Sequence, residues 1–304
     1  MRIITRGDVD GIMCATLLRA VGIAHEMVQA HPKDVQDGKI SVTADDIVCN
    51  LPYLPECGMW FDHHISEESE GRAPEQFKGA YGLAPSAARL VYEYFIKEYP
   101  ELKRFENFLK VVDRFDSATL TKDDVKNPSG AMLLAFIIDP RTGLGYKHDY
   151  TISNKQLTDM MPDLLLKHSP EEILQMADIK QRVDYYFESQ KAAAVLYARY
   201  SQLKGTVIVT DFREVAEIPP ANRFLVYILP GFETATVSVR LSIVRGGGKV
   251  SIQVGSNIFN PCKVNIGQLM AEYGGGGHKG AGTCQMLTSE LDKTLIEIVK
   301  RLSI

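Results

Sequence analysis

Three short apolar runs near the start of the chain each end in chemically active side chains. This pattern constrains the fold more than any other feature. Arg2–Thr5 is β-prone and leads into Arg6-Gly7-Asp8-Val9-Asp10-Gly11. Ile47–Cys49 leads into Asn50, and Met59–Phe61 leads into Asp62-His63-His64. After the first run, Ile12–Val21 carries apolar residues at helical spacing. Alternation of this kind argues for a parallel sheet. In such sheets ligands gather at the carboxyl ends of the strands.

The rest of the chain extends this reading. From Pro85 to about Ile138 the pattern is helical, with one apolar face at Ala87, Leu90, Val91 and Tyr94 and another at Phe105, Phe108, Leu109 and Val112. Pro140–Asp149 reads as a loop, and Asn154–Lys167 and Pro170–Tyr200 as helices. After Gly205 the texture becomes β-branched, with strands expected at Thr206–Thr210, Phe224–Leu229, Thr234–Val244 and Lys249–Val254. Arg245-Gly246-Gly247-Gly248-Lys249 has the composition of a hairpin turn. A helix over Val264–Tyr273, a strand over Gly282–Met286 and an amphipathic helix over Ser289–Leu302 complete the pattern. The expectation is two α/β domains: a parallel-sheet domain over residues 1–185, a helical connector over 186–204 and a smaller mixed-sheet domain over 205–304. A length of 304 residues agrees with that count.

Composition excludes several classes. Apolar residues make up 45% and charged residues 24%, ordinary values for a globular protein. No apolar run is long enough to span a bilayer, and the N-terminus lacks a signal peptide's apolar core. The five cysteines, at 14, 49, 57, 262 and 284, form no CxxC pair. A disulfide framework and a structural zinc site are therefore not expected, and a cytoplasmic location is. Residues 200–304 carry 11 basic and 8 acidic side chains, a charge of +3, against −7 for the remainder. That asymmetry suits cations in the first part and an anion in the second, or it is surface chance.

Several residues are chemical candidates. Asp8 and Asp10 are two apart, so an extended segment can point both carboxylates the same way. Gly11 permits a sharp turn into the helix. A third cluster, Asp113-Arg114-Phe115-Asp116, ends a helical run. Mixed carboxylate and imidazole ligands suit Mn²⁺, Fe²⁺ or Co²⁺. Taken singly, each cluster also has an ordinary reading as a turn, a surface histidine pair or a helix cap. Gly274–Gly277 follows a helix and precedes a strand, the wrong order for a Walker loop or a dinucleotide fingerprint. Its glycines still allow close backbone approach to an anion, with His278 and Lys279 as added donors. Arg240 is either an anion contact or a solvated strand residue. Asn257 and Asn260 are weaker candidates for the same cleft. His25, His31, His148 and His168 have no motif context.

Asp62-His63-His64 resembles the signature of the DHH phosphoesterase superfamily, and Asp8-Val9-Asp10-Gly11 resembles its first motif. Gly274-Gly275-Gly276-Gly277-His278-Lys279-Gly280-Ala281-Gly282 is similar to the glycine-rich motif of the DHH-associated C-terminal domain. That domain accompanies nanoRNases, nucleotide phosphatases, cyclic-dinucleotide phosphodiesterases and exopolyphosphatase-like proteins. The resemblance implies two metals, one on Asp8 and one on Asp10. It implies His63 as a metal ligand, Asp62 as its support and His64 beside the substrate phosphate. A bridging aspartate is implied further on, for which Asp113 matches better than Asp116. Arg240, Gly275, Gly276, Gly277 and His278 are the implied substrate contacts, in a cleft between the domains.

Two positions depart from the family pattern. Arg6 stands where the first motif commonly has histidine, and Asn50 where the second has aspartate. Arginine cannot ligate a cation, and a neutral amide cannot bridge two as a carboxylate does. One metal rather than two is therefore expected, Mn²⁺ first, with Mg²⁺ or Co²⁺ as alternatives. Arg6 becomes a substrate-binding candidate. The expected function is metal-dependent hydrolysis of a phosphoester or phosphoanhydride in a short oligonucleotide, a nucleotide or polyphosphate. The alternative is a catalytically weakened relative that binds a nucleotide or phosphate. Expected partners are a phosphorylated small molecule or short oligonucleotide and no membrane, with a homodimer compatible.

Overall fold

The computed structural model describes all residues except 65–73, 147–148, 245 and 304, so His148 and Arg245 lie outside the described residues. The chain divides into two compact units. The first comprises 1–120 and 128–184, and the second 121–127 and 185–304. The 24-residue helix Ala177–Tyr200 contributes to both.

The first unit is built on a five-stranded, all-parallel sheet in the order β2-β1-β3-β4-β5. The strands are β1 (Arg2–Thr5), β2 (Glu26–Gln29), β3 (Asp46–Cys49), β4 (Met59–Asp62) and β5 (Gly79–Tyr81). Ile4, Val48 and Trp60 fill one face, while Ile3, Ile47 and Phe61 are buried on the other. A sheet covered on both sides explains why the strands read as continuous apolar runs. Register sets the active edge. Thr5 pairs with Cys49, and Cys49 with Phe61. Arg6, Asn50 and Asp62 therefore leave the sheet in one row at its carboxyl edge. The edge strands β2 and β5 were not expected, because Glu26–Gln29 is half polar and Gly79–Tyr81 only three residues long.

Local chemistry shapes the entry into the first helix, Val9–Ala20. Asp8 caps it by accepting from the Gly11 N–H at 3.0 Å. Gly11 lies so close to β1 that a Cβ would fall 2.1 Å from the Arg6 carbonyl oxygen. Glycine is required there for contact rather than for an unusual φ.

The second unit holds a six-stranded mixed sheet, β10-β11-β9-β8-β7-β6. Its strands are β6 (Ser201–Lys204), β7 (Val207–Asp211), β8 (Val237–Ile243), β9 (Lys249–Ser256), β10 (Gly276–His278) and β11 (Ala281–Leu287). One face packs Val239, Leu241, Ile252 and Cys284 against the helices Ile266–Ala271 and Leu291–Leu302. Gly246, Gly247 and Gly248 turn the β8–β9 hairpin with φ of 97°, 75° and 76°, a conformation that glycine adopts without strain. The expected strand over Phe224–Leu229 is instead a 3₁₀ turn at Leu225–Ile228. Asn222 initiates it by accepting the Phe224 N–H at 3.0 Å, and Pro219, Pro220 and Pro230 flank it, so an apolar run became a buried turn. The helix expected over Pro170–Tyr200 breaks at Met176 into Pro170–Gln175 and Ala177–Tyr200. Neither glycine nor proline marks that break. Helix Lys122–Lys126 packs on the Leu225–Ile228 turn and so belongs to the second unit.

Candidate metal centre

Asp10 is fully buried in the first turn of its helix. Its carboxylate accepts from the N–H groups of Ala87 at 3.0 Å and Ala88 at 2.8 Å. These are the first free donors of the helix Ala87–Phe95, whose amino end favours negative charge. His63 follows β4. Its Nδ1 lies 3.0 Å from the Ala84 carbonyl, an arrangement in which Nδ1 donates and Nε2 is left for a ligand. Nε2 stands 3.7 Å from Asp10 Oδ2 and 3.2 Å from Asp116 Oδ2. Ligand atoms of Asp10, His63 and Asp116 all lie within 4.8 Å of one another.

The electrostatics of this group fit a cation. Burial, then the Asp116 charge, push the Asp10 carboxyl well above the ordinary range. For His63, burial opposes the charged form, but the close approach of Asp116 and the Asp10 charge outweigh it and raise the ring to about 9. Asp116 is lowered despite its burial, by the close approach and charge of His63 and then by the charge of Arg141. His63 Nε2 is buried without a hydrogen bond of good geometry. Two carboxylates and an imidazole held this tightly need a cation or a proton between them, and the donor set suits Mn²⁺.

Asp113 is placed differently from the sequence expectation. Its Oδ1 accepts from Ser86 Oγ at 2.8 Å, and its Oδ2 receives Nε of Arg89 at 3.0 Å and Nη2 of the same residue. Both oxygens serve the start of the neighbouring helix. Asp116, one turn on, is the carboxylate that joins Asp10 and His63. Sequence spacing alone could not separate two aspartates three apart on one helix.

His64 Nδ1 lies 2.7 Å from Oδ1 of buried Asp62, which orients the ring while leaving it 39% exposed. Asp8 Oδ1 accepts from Gly11 N–H and from Asn50 Nδ2, each at 3.0 Å, and Arg6 Nε stands 3.0 Å from Asp8 Oδ2. Arg141 was missed from sequence. Asp139 holds its Nε at 2.7 Å, its guanidinium lies 5.6 Å from the Phe115 ring centroid, and its charge is felt by both Asp8 and Asp116. The available signal was Asp139-Pro140-Arg141 directly after the wholly apolar helix Gly130–Ile138.

In the second unit, Arg240 pairs with Gln253 across β8 and β9, with Nε at 3.0 Å and Nη2 also on the same oxygen. Its side chain therefore lies on the polar face of the sheet. Gly275 has no room for a Cβ, which would sit 2.0 Å from the Thr283 carbonyl oxygen, whereas Gly276 has open space around it. His278 is exposed at the end of β10. Asn257 and Asn260 are engaged locally, their amides donating to the carbonyls of Ala235 at 2.7 Å and Thr234 at 3.3 Å.

No protein-family model and no curated protein matches the chain. Among solved structures it is similar to the pGpG-specific phosphodiesterase PggH from Vibrio cholerae. The TM-score is 0.88 and the identity 33%, over 99% of this chain and 98% of that one. The chain belongs to the DHH-type phosphoesterase family. CDC45 from Entamoeba histolytica also aligns over 100% of this chain and 95% of its own, at 8% identity and a TM-score of 0.47, too slight a likeness to bear on function. The two-sheet α/β architecture is that of a DHH domain followed by its associated C-terminal domain. Among the described residues no helix is long and apolar enough to cross a membrane.

Proposed function

We propose that this DHH-type chain is a metal-dependent phosphodiesterase that hydrolyses short oligonucleotides, with the dinucleotide pGpG as its first substrate. The observation that carries the reading is the Asp10–His63–Asp116 group, with a buried, unsatisfied His63 Nε2 aimed at two carboxylates. The likeness to PggH supplies the substrate class.

When bound, a divalent cation such as Mn²⁺ activates water and offsets the charge of a phosphoryl group. The protein's own residues do the rest. Asp10, His63 and Asp116 hold the cation, and the Ala87 and Ala88 N–H groups keep Asp10 in place. Asp62 fixes the His64 ring through Nδ1. His64 donates a proton to the leaving oxygen. In the second unit, Gly276, Gly277 and His278 supply donors for a phosphate and Arg240 a further cationic contact, while the Gly275 N–H is engaged by the Met270 carbonyl at 3.0 Å.

The test is a substrate panel with Mn²⁺, comparing pGpG, longer oligonucleotides, 3′-phosphorylated nucleotides, cyclic dinucleotides and polyphosphate. Preferential Mn²⁺-dependent turnover of pGpG supports the proposal. Absence of turnover with retained nucleotide affinity establishes a binding protein instead.

A further inference from the structure

We infer that a divalent cation is held at one position only, by Asp10, His63 and Asp116, and that the Arg6 guanidinium takes the second cation's place as a contact for the substrate's phosphate. The inference deepens the phosphodiesterase reading and rests on it.

The resemblance places a second cation on Asp8, beside a carboxylate at position 50. The residues present do not fit one. Asp8 Oδ1 already accepts from Gly11 N–H and from Asn50 Nδ2, each at 3.0 Å, and Asp8 Oδ2 faces Arg6 Nε at 3.0 Å. Two N–H donors hold Oδ1 of this buried carboxylate, and Oδ2, which accepts no hydrogen bond, has the Arg6 charge beside it. A cation would have to displace a guanidinium from the oxygen it needs.

Asn50 is decisive. It is buried and held in the left-handed region at φ 55°, with its N–H on the Phe61 carbonyl at 2.9 Å. Its amide must turn Nδ2 toward Asp8, because the opposite orientation would set two acceptors against each other. An aspartate at this position would put carboxylate against carboxylate, tolerable only with a cation between them. The asparagine N–H₂ fills that gap from the protein itself. Charge agrees. Arg6 balances Asp8, and Arg141 adds a second positive group whose charge is felt by Asp8 and Asp116. A second divalent cation would enter beside two guanidinium groups.

Arg6 is also suited to the anion. Its Nε stands 3.0 Å from Asp8 Oδ2, and its side chain is one-third exposed. Guanidinium forks match phosphate oxygens through paired N–H donors. Asp8 then acts as a positioning residue: held by Gly11 and Asn50, it fixes Arg6 at the carboxyl edge of β1.

The experiment counts Mn²⁺ per chain by electron paramagnetic resonance and elemental analysis, in the parent and in Arg6 and Asn50 variants. The parent is expected to hold one. Two would overturn the inference while leaving the phosphodiesterase reading intact, and none would overturn both. Arg6→Ala is expected to keep its single Mn²⁺ and to lose about a hundredfold in kcat/KM for pGpG, chiefly through KM. Unchanged kcat/KM, or loss of the Mn²⁺, would remove Arg6 from phosphate binding. The double change Arg6→His with Asn50→Asp is expected to bind a second Mn²⁺. A folded double variant that still holds one would show that these two residues do not exclude it.

Discussion

At position 63 an imidazole with one nitrogen on a backbone carbonyl has its other nitrogen between two carboxylates. His63→Ala is expected to abolish Mn²⁺ binding in calorimetric titration, and parent-like affinity would remove His63 from the ligand set. The two aspartates of the Glu106–Asp116 helix separate by the same measurement. Asp116→Asn is expected to lose Mn²⁺. Asp113→Asn is expected to keep it while losing about 2 kcal/mol of stability, because it breaks a partly buried pair with Arg89. Urea denaturation in parallel with the titration distinguishes the two roles. The reverse result would return Asp113 to the metal.

Elements of secondary structure place these residues, and two contacts show how tightly. A methyl group at Gly11 would collide with the Arg6 carbonyl and with Thr5 Oγ1, at 2.1 Å and 2.6 Å. Gly11→Ala is therefore expected to cost about 1–3 kcal/mol and to weaken Mn²⁺, because the helix carrying Asp10 must retreat from β1. An unchanged urea midpoint would contradict the close approach. At the opposite end of the sheet, Arg2 binds buried Asp46 through Nε and Nη2 at 2.7 Å and 2.9 Å, joining β1 to β3. Burial opposes ionisation of Asp46, but the Arg2 hydrogen bonds and those from Thr43 prevail and hold its carboxyl below the usual range. The stabilisation is therefore complete above the unfolded carboxylate's pKa of about 3.9 and is lost as pH falls through the lower native value. Asp46→Asn is expected to reduce stability at pH 6 and to flatten its fall between pH 4 and 2. An equally steep acid limb in the variant would assign that limb to other carboxylates.

On the scale of the whole molecule, the proposed cation ligands and the glycine-rich segment belong to different compact units. The units should therefore respond separately to substitution. His278→Ala is expected to raise KM for pGpG about tenfold while leaving Mn²⁺ stoichiometry and affinity unaltered, since it removes one exposed hydrogen-bond donor to an anion. Lost Mn²⁺ affinity with an unchanged KM would contradict that division. Thermal shift with and without Mn²⁺ gives an independent check, because a ligand stabilises only the state that binds it.

The sequence by itself determined the three central strands of the first unit and the helix after the first of them, the two-sheet α/β architecture, and the clusters at strand ends where chemistry would gather. These follow from local pattern: apolar runs make buried strands, and the residues after them emerge at one edge. The Asn154–Lys167 helix was legible to the residue, because Ser153 caps it and Gln156 completes the capping box. The different surroundings of Asp113 and Asp116, the placing of Arg141 and the breaks at Phe224 and Met176 come only from the tertiary structure. Two aspartates on one helix share a local signal. Their difference lies in rotation about the helix axis, which turns one toward Ser86 and Arg89 and the other toward His63. Arg141 has no motif of its own, and only packing against Phe115 and Asp139 brings it to the carboxylates. Residues at 6 and 50 could be seen to depart from a pattern. That Asn50 and Arg6 close around Asp8 depends on three strand ends aligned in register, a long-range property that no stretch of sequence carries alone.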